Sequence, residues 1–207
     1  MRIISGHARG LKLKPPQGQA IRPTSDRARE ALFNIINHRP QDALVLDLFA
    51  GTGAFGLEAL SRGAKHVTFV DNNPNALILI KKNLLLLQKS VPLTLISTLF
   101  PEKVSPDIVC QSASILKCDL SRESFFISIE RKNTSQFFDL IFLDPPYAKG
   151  LSLQTLTYID KNQFLADQGV LIAEECSGIE LPHNLNTLTM IDKRKYGDTG
   201  FWFYKKH

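Results

Sequence analysis

Cysteine is scarce in this 207-residue chain. Cys110, Cys118 and Cys176 are odd in number and form no Cys-x-x-Cys pair. They indicate neither a disulfide framework nor a zinc site, and they suit a reducing cytoplasm. Long apolar runs are also missing. No stretch reaches the ~18 residues of a membrane span. The longest, Ala76 to Leu87, is broken by Lys81, Lys82 and Asn83. Met1-Arg2-Ile3-Ile4-Ser5-Gly6 lacks the apolar core of a signal peptide. There is no internal repeat, no low-complexity segment and no metal-ligand cluster. The expectation is a cytoplasmic, non-membrane chain, without a metal and with no obligate protein partner.

What is there begins with charge. The net charge is +5, unevenly spread. Residues 1–40 carry 8 basic and 2 acidic side chains, residues 41–192 carry 12 and 17, and residues 193–207 carry 5 and 1. A basic head and tail flank a mildly acidic body, an arrangement that suits an anionic partner better than a uniformly cationic chain would. The hydrophobic content of 43% is ordinary for a globular domain. The length fits one domain with a short appendage.

Residues 2–14 read as a hairpin around Gly6 to Gly10, with alternating Leu11/Lys12/Leu13/Lys14 giving one basic face. A helix is expected after Thr24 or Ser25, with Ala28, Leu32, Ile35 and Ile36 inward and Arg27, Arg29 and Glu30 elsewhere. From residue 44 strands and helices alternate. Strands are expected at 44–48, 66–70, 114–118, 138–143, 170–174, 185–191 and 200–204. Helices are expected at 54–61, 74–87, 122–131 and 152–160. This is an α/β pattern: a seven-stranded, mostly parallel, doubly wound sheet. Residues 90–112 fit it poorly. Pro92, Pro101 and Pro106 exclude a long helix, and Leu93 to Ile96 is apolar enough for a short strand or a buried flap.

The first strand runs into Asp47-Leu48-Phe49-Ala50-Gly51-Thr52-Gly53-Ala54-Phe55-Gly56. Glycines here allow a tight turn and close approach of a ligand to free helix N–H groups. GxGxxG by itself is a weak signal, also met in a plain strand–helix turn. A dinucleotide would use Asp71 for its ribose. Asp47, however, stands at the mouth of the turn, where a carboxylate repels pyrophosphate and suits a cation such as the ammonium of a methionine moiety. Asp71 and Asp119 also have a second reading as helix N-caps.

Phe138 to Leu143 ends in Asp144-Pro145-Pro146-Tyr147. Ligands of open parallel sheets bind beyond the carboxyl ends of the strands, so this tetrapeptide faces the same crevice as the glycine turn. Two prolines stiffen the loop, and Tyr147 offers a flat face for stacking on a base. An exocyclic amine of a nucleobase is a poor nucleophile. A carboxylate and a fixed carbonyl can accept its N–H groups and turn its lone pair towards a methyl donor. The target base must first leave its stack.

Asp-x-Phe-x-Gly-x-Gly resembles the S-adenosylmethionine turn of class I methyltransferases, a Rossmann-like fold. The resemblance implies that Asp47, Phe49, Gly51 and Gly53 hold the amino-acid end of the cofactor. It gives Asp71, with Asn72, the ribose and Asp119 the adenine. Asp144-Pro145-Pro146-Tyr147 resembles the amino-methyltransferase motif of DNA and RNA enzymes. The N-terminal arm (Arg2-Ile3-Ile4-Ser5-Gly6, Arg9-Gly10 and Arg22-Pro23-Thr24-Ser25-Asp26-Arg27-Ala28-Arg29-Glu30) is similar to that of the bacterial RsmD family. So are Gly56 to Ala64 and Tyr196-Gly197-Asp198-Thr199-Gly200. That resemblance covers nearly the whole chain and departs from the family at residues 90–112. It implies N2 methylation of a guanine in 16S rRNA within a small-subunit assembly particle; a monomer is expected. It also implies a basic arm (residues 1–40) gripping RNA, a catalytic domain (residues 41–207), and Thr24 near the cofactor. Arg2, Arg9, Lys12, Lys14 and Arg22 are the candidate phosphate contacts. An adenine-N6 methyltransferase and a non-catalytic assembly factor are the alternatives.

Overall fold

A computed structural model describes residues 1–16, 26–96, 111–123, 137–147 and 149–207. Its elements are α1 (Asp26–Ile36), β1 (Leu44–Leu48), α2 (Ala54–Ser61), β2 (His66–Asp71), α3 (Pro74–Leu87), β3 (Leu93–Ile96), β4 (Gln111–Lys117), β5 (Phe138–Leu143), α4 (Leu151–Lys161), β6 (Leu165–Cys176), β7 (Leu188–Tyr196) and β8 (Thr199–Lys206). The strands form one sheet in the order β3-β4-β2-β1-β5-β6-β8-β7. Pairings from β3 to β6 are parallel, and β8 is antiparallel to both β6 and β7.

Among the described residues the sheet has eight strands instead of the expected seven. The extra one is the short apolar run Leu93–Ile96, which pairs with β4 and makes the edge. Of the two readings its apolar residues allowed, a short strand or a buried flap, the strand forms, and pairing to β4 supplies backbone partners along one side.

The two faces of the sheet are filled from alternate residues. Val45, Leu140 and Phe142 join a core with residues of α1, α2 and α3. Leu46, Leu48, Ile141 and Leu143 join a second core with Leu156 and Ile159 of α4. Strands covered on both faces read as near-continuous apolar runs, as β1 and β5 do. Phe142 stacks on Phe55 with ring centroids 5.1 Å apart and meets Phe33 at 5.7 Å, which locks α1 and α2 to the sheet centre. Helix α2 ends in a Schellman motif: Gly63, at φ 97°, donates to Leu60 O and Ala64 donates to Ala59 O.

Helix α1 corrects the sequence reading of its faces. Arg29 is wholly buried and Ile35 is 39% exposed. The inward residues are Ala28, Arg29, Leu32, Phe33 and Ile36. Periodicity sends a charged residue outward. Here the arm supplies the carbonyl of Arg2, which accepts from Arg29 Nη2 at 2.5 Å, and Asp26 accepts from the same nitrogen at 3.0 Å. The helix itself ends at Ile36, before a run of turns through Pro40.

The N-terminal ribbon forms as expected, with Arg2 bridged to Lys12 across the turn. It is docked by its backbone. Ile4 and Ser5 donate N–H to the two oxygens of buried Glu58, at 2.7 and 3.0 Å. Ala8 N–H reaches Ser61 Oγ at 3.0 Å, and Lys14 N–H reaches Asn83 Oδ1 at 2.8 Å. Ile3, Ala8 and Leu13 enter the α1–α3 core. The expected N-cap at Thr24 or Ser25, Thr24 and Arg22 as binding residues, most of the 90–112 insertion and most of the helix expected at 122–131 lie outside the described residues.

Candidate active site

The parallel strands β1, β2, β5 and β6 end at one rim of the sheet. Between them lies a cavity of about 580 Å³, within the usual size of a small-molecule site. Asp47, Phe49, Gly51, Asp71 and Asn72 line one side, and Asp144, Pro145, Pro146 and Tyr147 line another. Nine of the expected site residues thus share one cavity. Gly53 is part of the turn without lining the cavity.

The turn takes an unusual backbone path. Phe49, Gly51 and Gly53 have φ of 57°, 54° and 77°. For a bulky residue like Phe49 this costs on the order of 1–3 kcal/mol, and such strain is held where the surroundings enforce it. At Gly56 the reason for glycine is close approach, since a Cβ there would lie 2.3 Å from Phe69 Cε1. Larger residues would lift α2 off β2.

Two carboxylates hold the turn in place. Asp47 is 1% exposed, and its Oδ2 accepts from Gly56 N–H in the first turn of α2 at 3.0 Å. Burial pushes its pKa up to about 8, opposed by that hydrogen bond and reinforced by the charge of Asp71. Asp71 accepts from Gly51 N–H through Oδ2 and from Asn73 N–H through Oδ1, both at 2.8 Å. Asp71 does not cap α3. That role falls to Asn73, whose side chain accepts from Asn75 N–H. This donor set fits S-adenosylmethionine: a buried carboxylate for a cationic amino-acid end, and a second carboxylate at the rim of β2 for hydroxyls.

Asp119 sits apart. It is not among the residues lining the cavity, and it accepts from both the hydroxyl and the N–H of Ser121. The Ser121 hydroxyl, then its N–H, hold the Asp119 pKa below the usual carboxylate range.

Pro145 is buried and Asp144 half-buried. Asp144 N–H donates to Leu48 O at 3.3 Å, which ties the motif to the end of β1. The Tyr147 hydroxyl donates to Glu174 Oε1 at 2.7 Å and lies 3.2 Å from Thr199 Oγ1. Burial, then the Glu174 charge, raise its pKa, so the phenol stays neutral.

Sequence reasoning missed a further side of the cavity. Glu174, Tyr196, Asp198 and Thr199 line it, from the end of β6 and the β7–β8 turn. One signal was legible: Glu174-Glu175 interrupts the apolar run Val170-Leu171-Ile172-Ala173, and both acids are nearly buried, at 3% and 2% exposure.

The basic ends differ in kind. Arg2, Arg9, Lys12 and Lys14 are exposed on the arm, and none of them has an ion-pair partner among the described residues. In the tail, Lys193 pairs with Glu180, Arg194 with Asp192 and Lys206 with Asp167.

The family model described as "Conserved hypothetical protein 95" matches residues 1–103 and 102–205. The chain is 37% identical to the "Putative rRNA methyltransferase YlbH" of Bacillus subtilis, over 100% of this chain and 99% of that one. It is 34% identical to the "Ribosomal RNA small subunit methyltransferase D" of Escherichia coli, over 84% of this chain and 74% of the relative. A solved structure, the "Putative methyltransferase yhhF from Escherichia coli", superposes with a TM-score of 0.75 at 29% identity, covering 100% of this chain and 98% of that one. With eight strands in this order, the glycine turn and Asp144 to Tyr147 around one cavity, the chain belongs to that family, the RsmD family of the sequence resemblance, and has the fold of a class I S-adenosylmethionine-dependent methyltransferase.

Proposed function

We propose that this protein transfers a methyl group from S-adenosylmethionine to the exocyclic N2 amine of one guanine in 16S rRNA. The substrate is a small-subunit assembly particle, and the protein acts as a cytoplasmic monomer. The observation that carries the reading is the shared cavity: Asp144 to Tyr147 on one side and the glycine turn with Asp47 and Asp71 on the other. The names of the relatives support rRNA as substrate.

When bound, S-adenosylmethionine supplies an electrophilic sulfonium methyl group. The protein's own part is binding and orientation. Asp47 faces the cationic end of the cofactor, and Asp71 accepts from its ribose. Asp144 and the Pro145 carbonyl accept the two amine N–H groups and turn the nitrogen lone pair towards the methyl carbon. Positive charge growing on that nitrogen is stabilised by the same acceptors. The methylated amine is acidic and releases its proton to Asp144 or to water. Tyr147, pinned at its hydroxyl, presents its ring to the flipped base. Residues 1–40 grip RNA phosphates through Arg2, Arg9, Lys12, Lys14 and Arg22, and residues 41–207 carry the chemistry.

The test is methylation of small-subunit particles from cells lacking this protein, followed by mass mapping of the 16S rRNA. N2-methylguanine at one position is the expected product. Asp144→Ala should lose turnover while binding the cofactor within a few-fold. N6-methyladenine, or wild-type turnover by Asp144→Ala, would overturn the assignment.

A further inference from the structure

Glu174 has no part in the chemistry above, yet it is placed for one. Strands β5 and β6 are parallel neighbours with Leu143 opposite Ala173. Asp144 and Glu174 are therefore the next residues on adjacent strands. Phe142 and Ile172, two residues before each, both enter the α1–α3 core, so the alternation directs both acids to that face. Both line the cavity, and Glu174 is 3% exposed. Tyr147 links them, because its hydroxyl donates to Glu174 and is also influenced by the Asp144 charge.

The chemistry of the two purines separates at this wall. Guanine presents two neighbouring kinds of donor, the N2 amine and N1–H. Adenine presents an amine beside an N1 lone pair. An ionised carboxylate only accepts hydrogen bonds. Two adjacent carboxylates match the guanine edge and oppose the adenine edge, where a lone pair would face a negative charge. Sites that hydrogen-bond a particular donor strongly reject analogues that lack it.

We propose that Glu174 selects guanine: its carboxylate accepts N1–H of the target base while Asp144 and the Pro145 carbonyl hold the N2 amine. This deepens the function proposed above and rests on it. The competing role for Glu174 is that of a peg for Tyr147 alone.

The experiment compares particles carrying guanine or 2-aminopurine at the mapped position. 2-Aminopurine keeps the methyl-accepting amine, replaces N1–H with a lone pair and carries H in place of O6, so the change in preference between wild type and Glu174→Gln, not the wild-type ratio alone, reports on N1–H. Hydrogen bonds to charged groups make the expected wild-type preference for guanine roughly 10- to 150-fold in kcat/KM. In Glu174→Gln the side-chain amide can donate to that lone pair, so the preference should fall at least about tenfold. Tyr147→Phe removes the peg and should leave the preference in place. A wild-type ratio near one overturns the inference with no variant needed. So does a ratio unchanged in Glu174→Gln, or one that collapses equally in Tyr147→Phe. Failure of the wild-type protein to methylate guanine would instead count against the proposed function.

Discussion

If Asp47 holds the cationic end of the cofactor as proposed, binding should depend on pH in a calculable way. Its carboxyl is buried, and its pKa is pushed up to about 8. At pH 7 it is therefore mostly protonated before a cation arrives, about 0.9 of a proton per molecule. A bound ammonium favours the ionised form, so binding expels that proton. Below pH 8 each unit of acidification should weaken apparent affinity about tenfold, or about 1.4 kcal/mol. The ammonium of the cofactor, an α-amino group, stays charged well below about 7.7. Between pH 5.5 and 7 the trend therefore belongs to Asp47. Calorimetry in buffers of different ionisation enthalpy should find close to one proton released per cofactor at pH 6, where the ammonium is fully charged, and about 0.7 at pH 7, where it is not. Asp47→Asn keeps an acceptor for Gly56 N–H, and its affinity should be flat with pH. The sign also reaches stability. A carboxyl whose folded pKa is raised favours folding at low pH, and that contribution fades as pH rises from about 4 towards 8. Wild type minus Asp47→Asn should show that slope in the absence of cofactor. A wild-type affinity that does not change between pH 5.5 and 7, with no proton released, would refute the reasoning.

The other predictions concern the turn and the arm. Asp71→Ala frees Gly51 and Asn73 N–H and removes the hydroxyl acceptor, so cofactor affinity should fall on the order of 10- to 100-fold; an unchanged titration would deny Asp71 that role. Replacing Arg9, Lys12 and Lys14 together by Gln should lower the salt slope of RNA binding by roughly 2, at about 0.7 for each phosphate no longer neutralised; an unchanged slope would remove the ribbon from the RNA surface. Gly6→Ala places a Cβ 1.9 Å from Ser61 O at a φ of 83°. The ribbon must lift there, and thermal stability and RNA affinity should fall while cofactor affinity holds; wild-type behaviour would show that the docking is dispensable.

The central strands, α2, α3 and the Asp144–Tyr147 tetrapeptide were legible because their signals are local. Unbroken apolar runs mark strands buried on both faces, and glycine and proline mark the turns between them. What escaped depends on distant partners. Arg29 is inside because the carbonyl of Arg2, 27 positions earlier, meets it there. Leu93–Ile96, open in the sequence between a strand and a flap, becomes a strand through pairing with β4 across the insertion. Glu174 joins the site because β6 runs parallel to β5 with Ala173 opposite Leu143, which sets Glu174 beside Asp144. No window of the sequence contains both members of any of these pairs.

The charge pattern takes its meaning from the same distinction between backbone and side chain. The tail looks as basic as the head, but Lys193 and Lys206 are matched by acids of other segments and Arg194 by Asp192 of its own strand. The head is fixed differently. Glu58, Ser61 and Asn83 hold the ribbon by its N–H groups, so docking uses none of its cationic side chains. Arg2, Arg9, Lys12 and Lys14 are thereby left exposed on a rigid support. Asn83 also donates to Thr52 O in the glycine turn, 3.3 Å away. The surface that would meet phosphate is thus built onto the loop that would hold the cofactor, and charge preorganised there would orient an RNA with little ordering cost on the protein side.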